Sequence, residues 1–265
     1  MSAVFEALGA ELFEACVQDN ADRVKTLTSK PIIINWTMVL IAAAEWRARG
    51  IASYCMTQTN RLDLADGVLR WVACNEDSDQ VCRFLVDSDF VTVDHPIDRW
   101  GTTLGIVAAT GKANRHSLVA YLLEKGADPN RTLEMQGHMR ILTCAAGYSD
   151  AEMVGLLLDH GAHLSGSGAL VFAAEKGKMQ TVKLLIARGA DVNEKGVATY
   201  IRRSLLSLGS PLHKAVENGH VAVVDVLLQA GADLAVTDAK GRTAADIAAA
   251  KGMHADILSK LGRPS

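Results

Sequence analysis

"GSPLHKAVENGHVAVVDVLLQAGADL", residues 209–234, carries two helices and their stops. Ser210 suits a helix cap, and Pro211 suits the first helical position, where an amide hydrogen has no intrahelical partner. Leu212, Ala215 and Val216 follow at helical spacing, and Gly219 permits the left-handed backbone that ends the helix. A second apolar stripe runs through Val223, Val224, Leu227 and Leu228, and Gly231 ends it in the same way. Both predicted helices are short and antiparallel. Such a pair cannot bury its stripe alone and requires a similar pair stacked on it.

Copies of the phrase recur along the chain. Residues 166–192 read "GSGALVFAAEKGKMQTVKLLIARGADV". The small residue three positions after the first helical Leu returns as Ala15, Ala43, Val72, Val107, Ala145, Ala173, Ala215 and Ala248, at spacings of 28, 29, 35, 38, 28, 42 and 33 residues. Second-helix phrases agree: "VCRFLVDS" (81–88), "LVAYLLEKGAD" (118–128), "MVGLLLDHGAH" (153–163), "TVKLLIARGAD" (181–191) and "VVDVLLQAGAD" (223–233).

On these residues the chain resembles the ankyrin-repeat family. The motifs that carry the resemblance are "SPLHKAVENGH" (210–220), "GADPN" (126–130), "GADVN" (189–193) and "DAKGRTAADIAAAKG" (238–252). The resemblance implies an all-α solenoid of about eight stacked helix pairs with finger loops. In the family each helix–loop–helix is followed by a β-hairpin finger, the stack curves, and fingers plus first helices line a concave face that binds partners. One domain over 1–265 is expected, with a divergent helix pair or cap at 1–31, central repeats at 32–237 and a capping repeat at 238–265. The first units depart from the pattern. "VLIAAAEWRARG" (39–50) has Arg47 where the inter-helix Gly is expected, and "FLVDSDF" (84–90) has Ser88 in place of the stop Gly. The family also assigns His213 to bonds within and between units, and Asn130 and Asn193 to the finger turn; in some members that Asn is a substrate for hydroxylation.

Composition fits thin helix layers. The chain is 49% hydrophobic but only 5% aromatic, whereas a single deep core of this size would use more large rings. A net charge of −3 gives no general pull toward nucleic acid. The five cysteines form no CxxC pair, and Cys16, Cys74 and Cys144 lie beside first-helix anchors, which reads as small buried thiols in a reducing compartment. No basic n-region precedes "MSAVFEALGAELFEACV", and the apolar run "PIIINWTMVLIAAA" (31–44) is too short to span a bilayer. It reads as linker plus buried first helix. A cytoplasmic or nuclear protein with no membrane partner is the expectation. From Asp63 to Asp98 nine acids face only Arg70 and Arg83. This run is either solubilising surface or a dock for a basic partner.

Chemical motifs are sparse. "GIVAATGK" (105–112) has five residues between its glycines rather than the four of a phosphate loop, and Ala113 stands where Ser or Thr must hold magnesium. "GSG" (166–168) lacks the preceding strand and third Gly of a dinucleotide fingerprint. No His pairs with Cys or an acid at zinc spacing. No metal or cofactor is expected.

Inserted length is more informative. "RTLEMQGHMR" (131–140) and "EKGVATYIRRSLLSLG" (194–209) both fall at finger positions, where added residues either serve binding or are simply tolerated. Trp100, Met135, His138, Met139, Arg140, Tyr200, Arg202 and Arg203 are the candidate groove residues, because Met, aromatic rings and Arg are enriched in interface cores. The function expected is a non-catalytic scaffold or adaptor that holds a protein partner in the groove between the fourth and seventh units. The alternative is an unconventional enzyme, or a protein that binds a small anionic or apolar ligand, using the same groove walled by 131–140 and 194–209, with His138 as the candidate proton-transfer group. A third reading is an inhibitor or adaptor subunit that buries another protein's active face.

Overall fold

The computed structural model describes residues 9–29, 34–98, 100–133, 139–195, 209–252 and 255–262. Among these residues sixteen α-helices fall into eight successive pairs. The pairs are α1 (Ala10–Val17) with α2 (Ala21–Thr28), α3 (Trp36–Glu45) with α4 (Arg49–Gln58), and α5 (Arg61–Cys74) with α6 (Asp79–Asp87). Then come α7 (Thr103–Ala109) with α8 (His116–Glu124), α9 (Ile141–Tyr148) with α10 (Ala151–Asp159), and α11 (Ala169–Glu175) with α12 (Met179–Ala187). The last two are α13 (Pro211–Glu217) with α14 (Val221–Gln229), and α15 (Ala244–Ala250) with α16 (Ala255–Lys260). Four two-residue strands mark the fingers: β1 (Pro96–Ile97), β2 (Gly101–Thr102), β3 (Thr132–Leu133) and β4 (Met139–Arg140). The class is an all-α repeat solenoid.

Packing gathers the chain into two compact bodies. The N-terminal body is Met1–Asp98 with Glu124–Ala127, and the C-terminal body is Arg99–Leu123 with Asp128–Ser265. Within the C-terminal body first helix stacks on first helix, α9 on α11, α11 on α13 and α13 on α15, while α12 lies between α10 and α14. Within the N-terminal body α3 lies against α1, α5 and α6. The eight anchor residues read from the sequence all sit on first helices, and none is more than 3% exposed. Small side chains at these points let the helices approach closely, so the core of each body is a seam along its first helices rather than one deep centre.

The seam is reinforced by polar ties between neighbouring units. Thr143 Oγ1 donates to the Ser167 carbonyl at 2.7 Å. Asn130 holds the next unit from both ends of its amide: Nδ2 donates to the Gly161 carbonyl at 3.0 Å, and Oδ1 accepts from the His163 amide at 2.8 Å. Asn193 Oδ1 accepts from the Asp233 amide in the same manner, also at 2.8 Å. The two Asn side chains thus bond across to the next unit, and within each turn it is Asp128 or Asp191 whose carboxylate accepts, from the Asn130 or Asn193 amide at 2.9 Å.

Turn chemistry separates the early units from the later ones. Gly177 has φ 69°, and a Cβ there would lie 2.6 Å from His220 Nδ1, so both backbone and space require glycine. In the first three pairs Asp19, Arg47 and Asp89 hold left-handed backbone instead, at φ 48°, 56° and 58°. The stop assigned to Ser88 is one residue displaced. Ser88 has φ −96°, and Asp89 makes the left-handed turn, where a short carboxylate side chain is better tolerated than most.

Cysteines lie beside the anchors, with one correction. Cys16 and Cys144 are buried, and burial pushes each thiol up to about 12. Cys74 is exposed, because it is the last residue of α5 and lies beyond the seam. From Trp36 the apolar run at 31–44 is helix α3, with Asn35 accepting from the Met38 amide at 3.3 Å and Val39–Ala44 buried, while 31–33 lie outside the described residues. Among the described residues no helix is long and apolar enough to cross a membrane.

Leu227 is fully buried in α14. Leu227→Ala is expected to cost about 2–5 kcal/mol in denaturant titration, with faster hydrogen exchange spreading into α12 because neighbours hold each unit. Arg47→Gly should act in the opposite direction. Relief of the left-handed backbone, less the extra freedom of the unfolded chain, gives a gain of up to about 1 kcal/mol in the same titration.

Candidate functional site

The described parts of the finger at 131–140 are two paired strands. Strand β3 pairs antiparallel with β4, Thr132 opposite Arg140 and Leu133 opposite Met139, and the Ile141 amide closes it on the Arg131 carbonyl at 3.3 Å. Side chains of directly opposed residues share a face. Leu133 and Met139 take the buried face; Thr132 is exposed and Arg140 half-buried. Leu133 lies on a floor cleared by glycine: a Cβ on Gly101 or Gly105 would come within 2.8 or 2.6 Å of its Cδ2. Met139 therefore anchors the finger and offers little surface to a partner. Arg140 leads directly into α9 and keeps part of its side chain in solvent. Trp100 is half-buried in the turn before β2. Met135, His138, Tyr200, Arg202 and Arg203 lie outside the described residues.

Sequence reading missed a cluster at the other end of α9. Tyr148, on α9, meets Phe172 of α11 edge-to-face, with ring centroids 5.3 Å apart and planes at 84°. Lys176 Nζ stands 5.1 Å from the Phe172 centroid and 5.7 Å from that of Tyr148. Tyr148 remains 44% exposed. Gly147 makes the contact possible, since a Cβ there would fall 2.3 Å from two ring carbons of Phe172. The signal was in the repeat register: Tyr148 and Lys176 each lie three residues past an anchor, and Phe172 lies one before. The position three past the anchor faces out of the first-helix seam, whereas Phe172 holds a position that is buried in most units and is itself half-buried.

His213 is held at both ring nitrogens. Nδ1 accepts from the Ser210 amide at 3.3 Å and lies 2.8 Å from the Ser210 hydroxyl, which donates to it. Nε2 then carries the hydrogen and donates to the Arg242 carbonyl of the following finger at 3.0 Å. That finger is fixed in turn by buried Asp238, which accepts from Arg242 Nε at 2.9 Å and from its terminal nitrogen at 2.7 Å. Burial opposes ionisation of Asp238, but bonds from the Arg242 amide and guanidinium and from the Lys240 amide hold its carboxyl below the usual range. Burial also lowers His213 below the ordinary histidine value. The imidazole is a neutral bracket between two units. Among the described residues no group of three His, Cys, Asp or Glu is placed to hold a metal ion.

Residues 107–196 match a family profile described as ankyrin repeats (3 copies), and residues 212–261 match one described as ankyrin repeats (many copies). The chain belongs to the ankyrin-repeat family. Among curated ankyrin-repeat relatives, it is 33% identical over 124 residues to cyclin-dependent kinase 4 inhibitor B of Mus musculus, covering 45% of this chain and 88% of that protein. It is 30% identical over 148 residues to the ankyrin repeat protein FPV031 of fowlpox virus, and 27% identical over 168 residues to alpha-latrocrustotoxin-Lt1a of Latrodectus tredecimguttatus. Those matches cover 52% and 62% of this chain, but the chain spans only 41% and 11% of the two proteins. The ankyrin profile matches begin at Val107, the fourth anchor. The three earlier pairs, where Asp19, Arg47 and Asp89 occupy left-handed turns, lie outside both matched spans.

The bracket in the seventh ankyrin unit has a pH signature. The unfolded His213 takes a proton near its ordinary value of 6.5, and the folded one does so only at lower pH. Its stabilising contribution is thus complete above that value and is lost as pH falls through it. Denaturation midpoints measured from about pH 8 to 5 should fall more steeply for the natural chain than for His213→Gln, which is less stable at the alkaline end.

Proposed function

We propose that this ankyrin chain is a non-catalytic protein-binding module, an adaptor that captures a partner on the face made by the first helices and fingers of its fourth to seventh units. The inserted segments 131–140 and 194–209 are assigned to contact with the same partner, because their added length falls at finger positions. The observation that carries the reading is the half-exposed Tyr148–Phe172–Lys176 cluster on consecutive first helices. Helix α9 begins beside Arg140 and ends at Tyr148, so one helix joins finger and cluster. Flat rings and a cation that remain in solvent after the seam is packed are the groups that dominate interface energetics. Ankyrin repeats generally mediate protein–protein interaction, and one relative is by name an inhibitor of a protein kinase. Both support a macromolecular partner, and the second supports a mode in which the partner's working face is covered. Five free cysteines, four of them buried, suit a reducing compartment, cytosol or nucleus.

The test takes a partner found by cross-linking in the source cell and measures its affinity as purified protein. Tyr148→Ala with Lys176→Ala should weaken binding by about 2 kcal/mol or more. Tyr200→Ala with Arg202→Ala should also weaken it, and both double variants should keep the natural helicity. Unchanged affinity in both, or loss of a small-molecule conversion rather than of partner capture, would count against the proposal.

A further inference from the structure

The N-terminal body contains an open cleft that the proposed binding face does not use. Its volume is about 590 Å³, and it lies where the third finger leaves helix α6. Asp89 makes the left-handed turn that releases this finger. Phe90, Val93 and Val86 are half-buried along the cleft, and Ala65 of α5 and Val91 are buried in it. Leu62, at the start of α5, completes the apolar lining while 63% exposed. A single exposed Leu needs no explanation, but one that continues a half-covered apolar surface adds to a docking patch.

The rim is acidic. Asp87 and Asp89 are both exposed at its edge. The ion pair there, Asp87 Oδ1 with Lys125 Nζ at 2.7 Å, has side chains 50% and 45% exposed. An exposed pair of this kind is held weakly and can be exchanged for an incoming cation. The inner end is built more firmly. His95 Nε2 lies 2.7 Å from Asp66 Oδ1, and the other Asp66 oxygen accepts from the Asp98 amide at 3.2 Å. These side chains are 10% and 19% exposed, so the bond braces the finger against α5 and fixes the width of the cleft. The surrounding segment sets nine acids against two arginines, which extends the negative field beyond the rim.

We propose that this cleft docks a peptide segment of a partner protein in which a large apolar side chain is flanked by Arg or Lys. The apolar side chain replaces solvent over Leu62, Val86, Phe90 and Val93, and the neighbouring cation meets the Asp87–Asp89 edge. Charge complementarity selects the class of occupant: an acidic or plain apolar segment would meet the same lining without the field. The cleft is lined by residues of the N-terminal body alone, whereas Tyr148, Phe172 and Lys176 belong to the C-terminal body, so its test stands or falls independently of the face proposed above.

The probes are three labelled synthetic peptides of equal length, one built of Leu and Arg, one with Glu for Arg, and one with Ser for Leu. Two variants test the two halves of the site. Leu62→Ser removes apolar lining at an exposed position. Asp89→Asn removes a charge while keeping a residue that tolerates left-handed backbone. The full-length chain should bind the Leu/Arg peptide saturably, and added salt should weaken that binding. Each variant should lose at least about tenfold in affinity with an unchanged melting curve. The proposal is overturned if the Glu or Ser peptide binds equally well, or if neither variant alters binding. It is also overturned if sedimentation shows a dimer that Leu62→Ser abolishes while no peptide is preferred, which would give the cleft to a second copy of the chain.

Discussion

A short helix with one apolar stripe has nothing to fold around except another helix like itself. Every other feature of the chain follows from that constraint. Anchors must be small, because Ala145, Ala173 and Ala215 are where one first helix meets the next. Turns must be tight, because a longer return would carry the second helix away from its neighbour. Polar side chains must bond across units, because the backbone hydrogen bonds of each helix stay within it. His213 reaching Arg242 and Asn130 reaching Gly161 and His163 do in side chains what a sheet does with its backbone.

The same constraint explains what the sequence made legible. The fold could be read because its requirements are local and repeated: a small anchor, a stripe and a left-handed stop. All eight anchors were found on first helices because none of them depends on contacts far along the chain. The misreadings lie where one residue of register decides the outcome. Ser88 and Asp89 are adjacent, and only the backbone angle shows which of them turns. Cys74 lies two residues past its anchor, one further than buried Cys16 from Ala15, and that single step at the end of α5 leaves it exposed.

The candidate site was less legible, for a physical reason. Residue type indicates what a side chain can do, while hairpin register decides whether it faces a partner or the core. Met139 has the character of an interface residue, yet it pairs across from Leu133 on the covered face. Tyr148 and Phe172 looked like ordinary helix residues until their shared edge, opened by Gly147, placed them together in solvent. A contact between residues on consecutive first helices has no one-dimensional pattern beyond the repeat itself.

Asp19, Arg47 and Asp89 give the chain a direction. Left-handed backbone costs a residue other than glycine on the order of 1–2 kcal/mol, less for Asp than for Arg, and all three fall in the first three helix pairs. In a nearest-neighbour stack such a deficit is not shared evenly along the length. Partial opening should therefore begin among the early pairs and stop short of the later ones. A ligand seated on the early pairs would act as a clasp, its grip setting how often those pairs come loose.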